Sequence, residues 1–190
     1  MESNAAQEAV IKNADGPTIV IAPPGSGKTR TLIERVHYLI SQKRVPAEKI
    51  LVLTFTTKAA QEIADRIKRR LGAAASLPYS STFHALALDM LRKHGDMIGI
   101  PKDFAVVATP EEKQKNAGAL TFDELLTHAL ELLEKNTEAR RYWQDRFSHV
   151  FIDEYQDTND TQAEIAAILA EDHRNLCVIG DPDQAIYGFR

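Results

Sequence analysis

The stretch "APPGSGKT" (22–29) limits the fold more than any other part of the chain. It stands between an apolar run, "TIVIA" (18–22), and residues 28–41, where Leu32, Val36, Leu39 and Ile40 share one helical face. A strand, a tight glycine turn and a helix in that order aim backbone N–H groups at an anion, with the positive end of the helix behind them. Gly25 and Gly27 let the backbone turn inward, and Pro24 and Ser26 complete the loop. Ala22 replaces the glycine that usually opens such loops, a change that leaves the chemistry intact. Lys28 can reach the outer phosphates of a bound polyphosphate, and Thr29 can ligate a magnesium ion.

The rest of the chain repeats the strand–helix alternation. Apolar runs at 49–55, 104–108, 149–154 and 176–181 join 18–22 as expected strands, and "YSST" (79–82) is a candidate for a further short one. Four of the five runs are nearly continuous, as in parallel strands buried on both faces. Residues 57–71 place Ala60, Ile63, Ala64, Ile67 and Leu71 on one face, and Gly72 is a plausible stop. Asn4 and Gln7 have capping-box spacing, so a first helix starts there and ends by "DGP" (15–17). The expected class is therefore α/β, a mostly parallel sheet flanked by helices, in one domain over 1–190.

Residues 109–147 read differently, as a short helical insertion on one side of the sheet. "TPEE" (109–112) opens a helix that "NAG" (116–118) stops, and "TFDE" (121–124) opens another. The lone Cys177 sits in the apolar run "NLCVIG" and reads as a buried core thiol. With no signal-like N-terminus and no apolar run near ~20 residues, the expectation is a cytoplasmic protein without a membrane segment. A net charge of −4 argues against a purely electrostatic DNA binder, though a local basic patch remains compatible with it.

"VFIDEYQDTND" (150–160) supplies the partner of the glycine loop. Asp153 and Glu154 follow an apolar strand at the carboxyl edge, where ligands of open α/β sheets bind. Asp153 is placed to hold magnesium, and Glu154 to orient and deprotonate an attacking water. Together with the loop, the pair favours hydrolysis of a nucleoside triphosphate.

With these motifs in order, the sequence resembles the UvrD/Rep/PcrA-type superfamily 1 helicases. "NAAQEAV" (4–10) resembles the adenine-reading motif and implicates Gln7; in "APPGSGKTR" the resemblance places Arg30 against the base. "LTFTTKAAQEIADRI" (53–67) and "STFHALALDMLR" (81–92) resemble motifs Ia and Ib, "FIDEYQDTN" (151–159) motif II, and "GDPDQAIYGFR" (180–190) motif III, with Gln184 as γ-phosphate sensor. The resemblance implies a RecA-like domain using ATP and Mg²⁺ and gripping single-stranded DNA. Phe55, Tyr187 and Phe189 follow strands and can stack on bases. Thr56, Thr82 and His84 can donate to phosphates, and Lys58 stands at a helix start beside them.

Two departures matter. Thr57 stands where the family usually has asparagine, and only a short segment (108–126) replaces the large subdomain expected between motifs Ib and II. The chain reads as the first motor domain of a longer 3′ to 5′ translocase, its partner the second motor domain. The expectation for the chain alone is ATP–Mg and weak DNA binding without unwinding. The motor part of a helicase–nuclease, and a module that binds nucleotide without turnover, stay open as alternatives.

Overall fold

The computed structural model describes residues 3–13, 15–72, 74–116 and 118–184. Five parallel strands form the main sheet: β1 (Thr18–Ile21), β2 (Ile50–Thr54), β3 (Tyr79–Thr82), β6 (His149–Ile152) and β7 (Leu176–Gly180), in spatial order β1-β7-β6-β2-β3. A separate two-stranded parallel ladder pairs β4 (Val106–Val107) with β5 (Leu120–Thr121). Helices return the chain between strands: α1 (Ala5–Lys12), α2 (Lys28–Ser41), α3 (Thr57–Leu71), α4 (Phe83–His94), α5 (Pro110–Lys115), α6 (Phe122–Lys135), α7 (Thr137–Arg146) and α8 (Asp160–Ala170). The expected α/β class, a parallel sheet flanked by helices, is what the chain adopts.

The alternation of strand side chains divides the core cleanly. Ile50, Val52, Phe151, Cys177 and Ile179 face one side, where α2 and α3 cover them with Leu32, Val36, Leu39, Ile63 and Ile67. Leu51, Leu53, Val150, Ile152 and Val178 face the other, against α4, α6, α7 and α8. Nearly continuous apolar runs thus mark strands buried on both faces in β2, β6 and the middle of β7, whereas β1, at the sheet's edge, leaves Ile19 and Ile21 exposed. Cys177 lies in this core, and burial pushes its thiol up to about 11, so it is inert packing as expected.

The local signals for helix ends are realised. Asn4 and Gln7 form the expected capping box, and Gly72 ends α3 at φ +97°. α1 ends at Lys12, a few residues before "DGP". Two helices of the insertion start at Thr109 and Thr121, which cap through their hydroxyls, a third, α7, starts at the cap Asn136, and α5 stops at Asn116. "YSST" is the edge strand β3.

One expectation needs correction: 104–108 is not a strand of the main sheet. Only Val106 and Val107 are extended, paired with Leu120 and Thr121. Phe104 is buried in the helical half of the core with Arg92 over its ring at 4.2 Å, and Leu120 N donates to Ala105 O. A short apolar run reports burial, and here helices rather than strands do the burying.

Because α6 and α7 share one buried cluster with β2, β6 and α8, the insertion should unfold with the sheet. Leu132→Ala, at a fully buried position of α6, is expected to cost about 2–5 kcal/mol in urea denaturation. The transition should stay single; a separate early transition would show that the insertion folds as its own unit.

Candidate active site

The glycine loop connects β1 to α2. Gly25 and Gly27 have φ of +72° and +89°, a region that side chains resist, so glycine is required at both. Gly27 also caps α2, and a Cβ there would meet Gln7 Nε2 at 3.4 Å. Lys28 is buried at the first position of α2, its Nζ 4.0 Å from Glu154 Oε2. Ser26 Oγ is buried with no hydrogen-bond partner, an orphan acceptor and donor inside the loop. Pro24 is exposed at the tip. A polyphosphate fits this lining: the unpaired Ser26 hydroxyl, a buried ammonium and a helix N-terminus converge there.

β6 ends by delivering Asp153 and Glu154 beside that loop. Asp153 is buried, and Thr29 donates its hydroxyl to Asp153 Oδ2 at 3.1 Å. Burial first, and then the charge of Glu154, raise the Asp153 pKa; the Thr29 hydrogen bond opposes them. Among the described residues no three His, Cys, Asp or Glu side chains gather as a self-sufficient metal site. Thr29 and Asp153 fit a hard cation that takes its other oxygens from water and substrate phosphate, the usual habit of magnesium.

Glu154 adopts the left-handed conformation, φ +53° and ψ +49°, uncommon for a side chain of its size. Gln156, which carries no signal of its own in the sequence, braces it. Its Nε2 donates to Glu154 Oε2 at 2.7 Å, and its Oε1 accepts from Asp181 N at 3.0 Å. The Asp181 carboxylate in turn accepts from Gln184 Nε2 at 2.6 Å and from Asp183 N. A continuous hydrogen-bonded path therefore joins Glu154 to Gln184 across the ends of β6 and β7. Gly180 makes room for it, because a Cβ there would lie 2.7 Å from Gln156 Oε1. The spacing of Gln156 two residues beyond Glu154 gains meaning only from the pairing of β6 with β7.

Gln7 reaches the loop from α1, donating Nε2 to Ser26 O at 2.8 Å while its Oε1 caps Asn4 N. Arg30 lies nearby and bonds Ser3. Between α1, β1 and the loop runs a cleft of about 340 Å³ lined by Gln7, Val10, Val20, Pro23, Lys28 and Thr31 among others. Mostly apolar walls with a few convergent polar groups suit a nucleobase.

Along the same sheet edge, β2 and β3 are paired in register from Leu51 with Tyr79 to Thr54 with Thr82. Phe55 and Lys58 are therefore exposed beside the start of α4. Thr56 and Thr82 spend their hydroxyls as acceptors capping α3 and α4. His84 is half-buried with its pKa lowered, by burial first and against the pull of Asp123. Its ring meets Phe122 edge-on at 5.9 Å. Phe122, 52% exposed, was legible only as the start of a helix. The structure thus brings Phe55, Thr56, Lys58, Thr82 and His84 to one edge, with Phe122 added. Tyr187 and Phe189 lie outside the described residues.

Comparison with known proteins identifies the family. The model of the UvrD/REP helicase N-terminal domain matches residues 3–114 and 106–190. ATP-dependent DNA helicase PcrA of Staphylococcus epidermidis is 32% identical over 248 aligned positions, covering 98% of this chain and 34% of that protein. PcrA of Staphylococcus aureus strain Mu50 matches over the same extent at 32%. The chain spans about a third of the length of these relatives. The aligned positions outnumber its 190 residues, so PcrA carries residues with no counterpart here. Among solved structures, the RNA-helicase Prp28 from Chaetomium thermophilum bound to ADP matches with a TM-score of 0.39 and 15% identity, over 95% of this chain and 39% of that one. The two stretches of the family model together run from residue 3 to residue 190, and the chain belongs to the UvrD/REP helicase N-terminal domain family.

Proposed function

We propose that this chain is the ATP-binding motor domain of an ATP-dependent DNA helicase, a single-stranded DNA translocase moving 3′ to 5′. A second motor domain of the same protein would close the nucleotide cleft and supply the second grip. One observation carries the reading. The glycine loop, the Asp153–Glu154 pair and Gln184 occupy the β1-β7-β6 half of a sheet edge whose β2-β3 half presents Phe55, Lys58, His84 and Phe122.

The residues divide the work by position. Lys28 and the loop N–H groups bind and orient the β- and γ-phosphates; Thr29 and Asp153 hold the magnesium ion, which when bound neutralises charge on the phosphate oxygens. Glu154 accepts the proton of the attacking water, and Gln156 fixes its carboxylate. Gln184 faces the end of the triphosphate and, through Asp181 and Gln156, shares a hydrogen-bond path with Glu154. Gln7 and Arg30 read the base. Exposed rings at the β2-β3 edge stack on unpaired bases without regard to sequence, and Lys58 meets the backbone. Thr56 and Thr82 cap their helices by accepting, which leaves each hydroxyl its own O–H to donate to a phosphate.

Lys28→Ala is expected to lower Mg-ATP affinity at least about tenfold, since the ammonium is the buried charge facing the phosphates. Calorimetric titration measures it, and equal affinity would remove the site assignment. Glu154→Gln should bind Mg-ATP as the parent does while losing turnover, because an amide keeps the shape and cannot take the proton. Phosphate release under single-turnover conditions separates that result from a merely structural glutamate, which would leave hydrolysis in place. Phe55→Ala and Phe122→Ala should each weaken binding of an oligothymidine by about 1–3 kcal/mol per stacked base. Fluorescence anisotropy at low salt reads this; losses confined to Lys58→Ala would point to a purely electrostatic contact.

A further inference from the structure

Arg35 lies two turns into α2 beyond Lys28 and is 2% exposed. Among the described residues its guanidinium meets no carboxylate in an ion pair. Instead Nη1 donates to Val10 O at 3.1 Å and Nη2 to Thr18 Oγ1 at 3.2 Å, while the group sits 5.7 Å from the centre of the Phe151 ring. Its Nε is buried with no partner. Burial of this kind is costly for a cation, and an apolar side chain of similar length would fill the same space without the cost. Stability alone is a poor reason for an arginine here.

What the arginine does hold is α1. That helix contains no buried residue, so packing alone fixes it weakly. Polar links attach it: Gln7 to Ser26 O near its start, and Arg35 to Val10 O in its last turn. The carbonyls of a last turn carry the negative end of the helix dipole, which suits a guanidinium. Thr18 on β1 accepts from Arg35 and also from Asn13, the residue that ends α1. Arg35 therefore ties the end of α1 to the strand forming the opposite wall of the cleft. The spacing between those walls sets where Gln7 stands.

We propose that Arg35 is a positioning residue for base recognition: by clamping α1 against β1 it places Gln7 to select adenine in the cleft. The assignment rests on the nucleotide-binding reading above, and no contact between Arg35 and nucleotide is implied. A residue acting this way affects the base end of the ligand and leaves the phosphate end alone.

The test is equilibrium binding of Mg-ATP, Mg-GTP and Mg-tripolyphosphate to the parent chain, Arg35→Met, Arg35→Lys, Gln7→Ala and the Gln7→Ala/Arg35→Met double variant. Arg35→Met should weaken ATP by about fivefold or more, the worth of one lost hydrogen bond, with GTP and tripolyphosphate nearly unchanged. In the Gln7→Ala background Arg35→Met should add nothing further, since both act through one contact. Equal losses for ATP and tripolyphosphate, no loss for ATP, or full additivity with Gln7→Ala would each overturn the proposal. Should Arg35→Met fail to fold by circular dichroism, Arg35→Lys decides. It keeps the charge and only one of the two donations, so the ATP-to-GTP preference should fall by about twofold or more, and an unchanged preference overturns the assignment. A parent chain that binds tripolyphosphate but shows no preference for ATP over GTP sinks this inference while sparing the phosphate site. A parent that binds neither sinks both.

Discussion

Parallel pairing is the constraint from which the rest follows. Strands that run the same way cannot be joined by tight turns, so each return crosses a face of the sheet through a helix. All five carboxyl ends then open on one edge. β6 lies near the middle of that edge, paired with β7 on one side and β2 on the other. Asp153 and Glu154 consequently stand between the glycine loop that follows β1 and the ends of β2 and β3, where Phe55 is exposed. Residues far apart in the chain, Thr29 and Asp153 for example, become hydrogen-bonded neighbours by strand order alone.

The same edge concentrates negative charge in a poorly solvated place. Burial and the charge of Glu154 raise the pKa of Asp153, and the same two causes in the same order raise that of Asp157. Lys28 approaches Glu154 only to 4.0 Å, too far for a good hydrogen bond. A site with this balance gains most from a ligand that brings a dication and takes Lys28 for its own anionic oxygens. The electrostatics of this cradle and the chemistry proposed for it point the same way.

Much of this was legible in sequence because the signals are short-ranged. Glycine at positive φ, Asn4 with Gln7 and Thr121 with Glu124 as capping boxes, and apolar continuity in buried strands are each decided within a few residues. Four features were not legible for the same reason. The run 104–108 looked like a sheet strand because burial reads alike whether strands or helices provide it. Phe122 looked like a helix start because its neighbour His84 lies in another element. Gln156 and Arg35 looked like ordinary polar residues because their partners, Asp181 and Thr18, arrive through pairing and packing. Position in a pattern is local; a hydrogen-bond partner seldom is.

Glu154 shows how the fold sustains a local cost. A left-handed non-glycine residue is disfavoured by about 1–3 kcal/mol and persists only when its surroundings overdetermine it. Here three restraints act together. Its N–H donates to Asp153 Oδ1, its carboxylate is held by Gln156, and Gln156 is in turn fixed by the backbone of β7 through Asp181. Glycine at 180 belongs to the same set, because any larger residue would displace Gln156 and release the restraint. The strain is thus maintained by the strand that also presents Gln184. Gln184 and Glu154 are thus joined by hydrogen bonds through two side chains, Asp181 and Gln156, and the end of one strand.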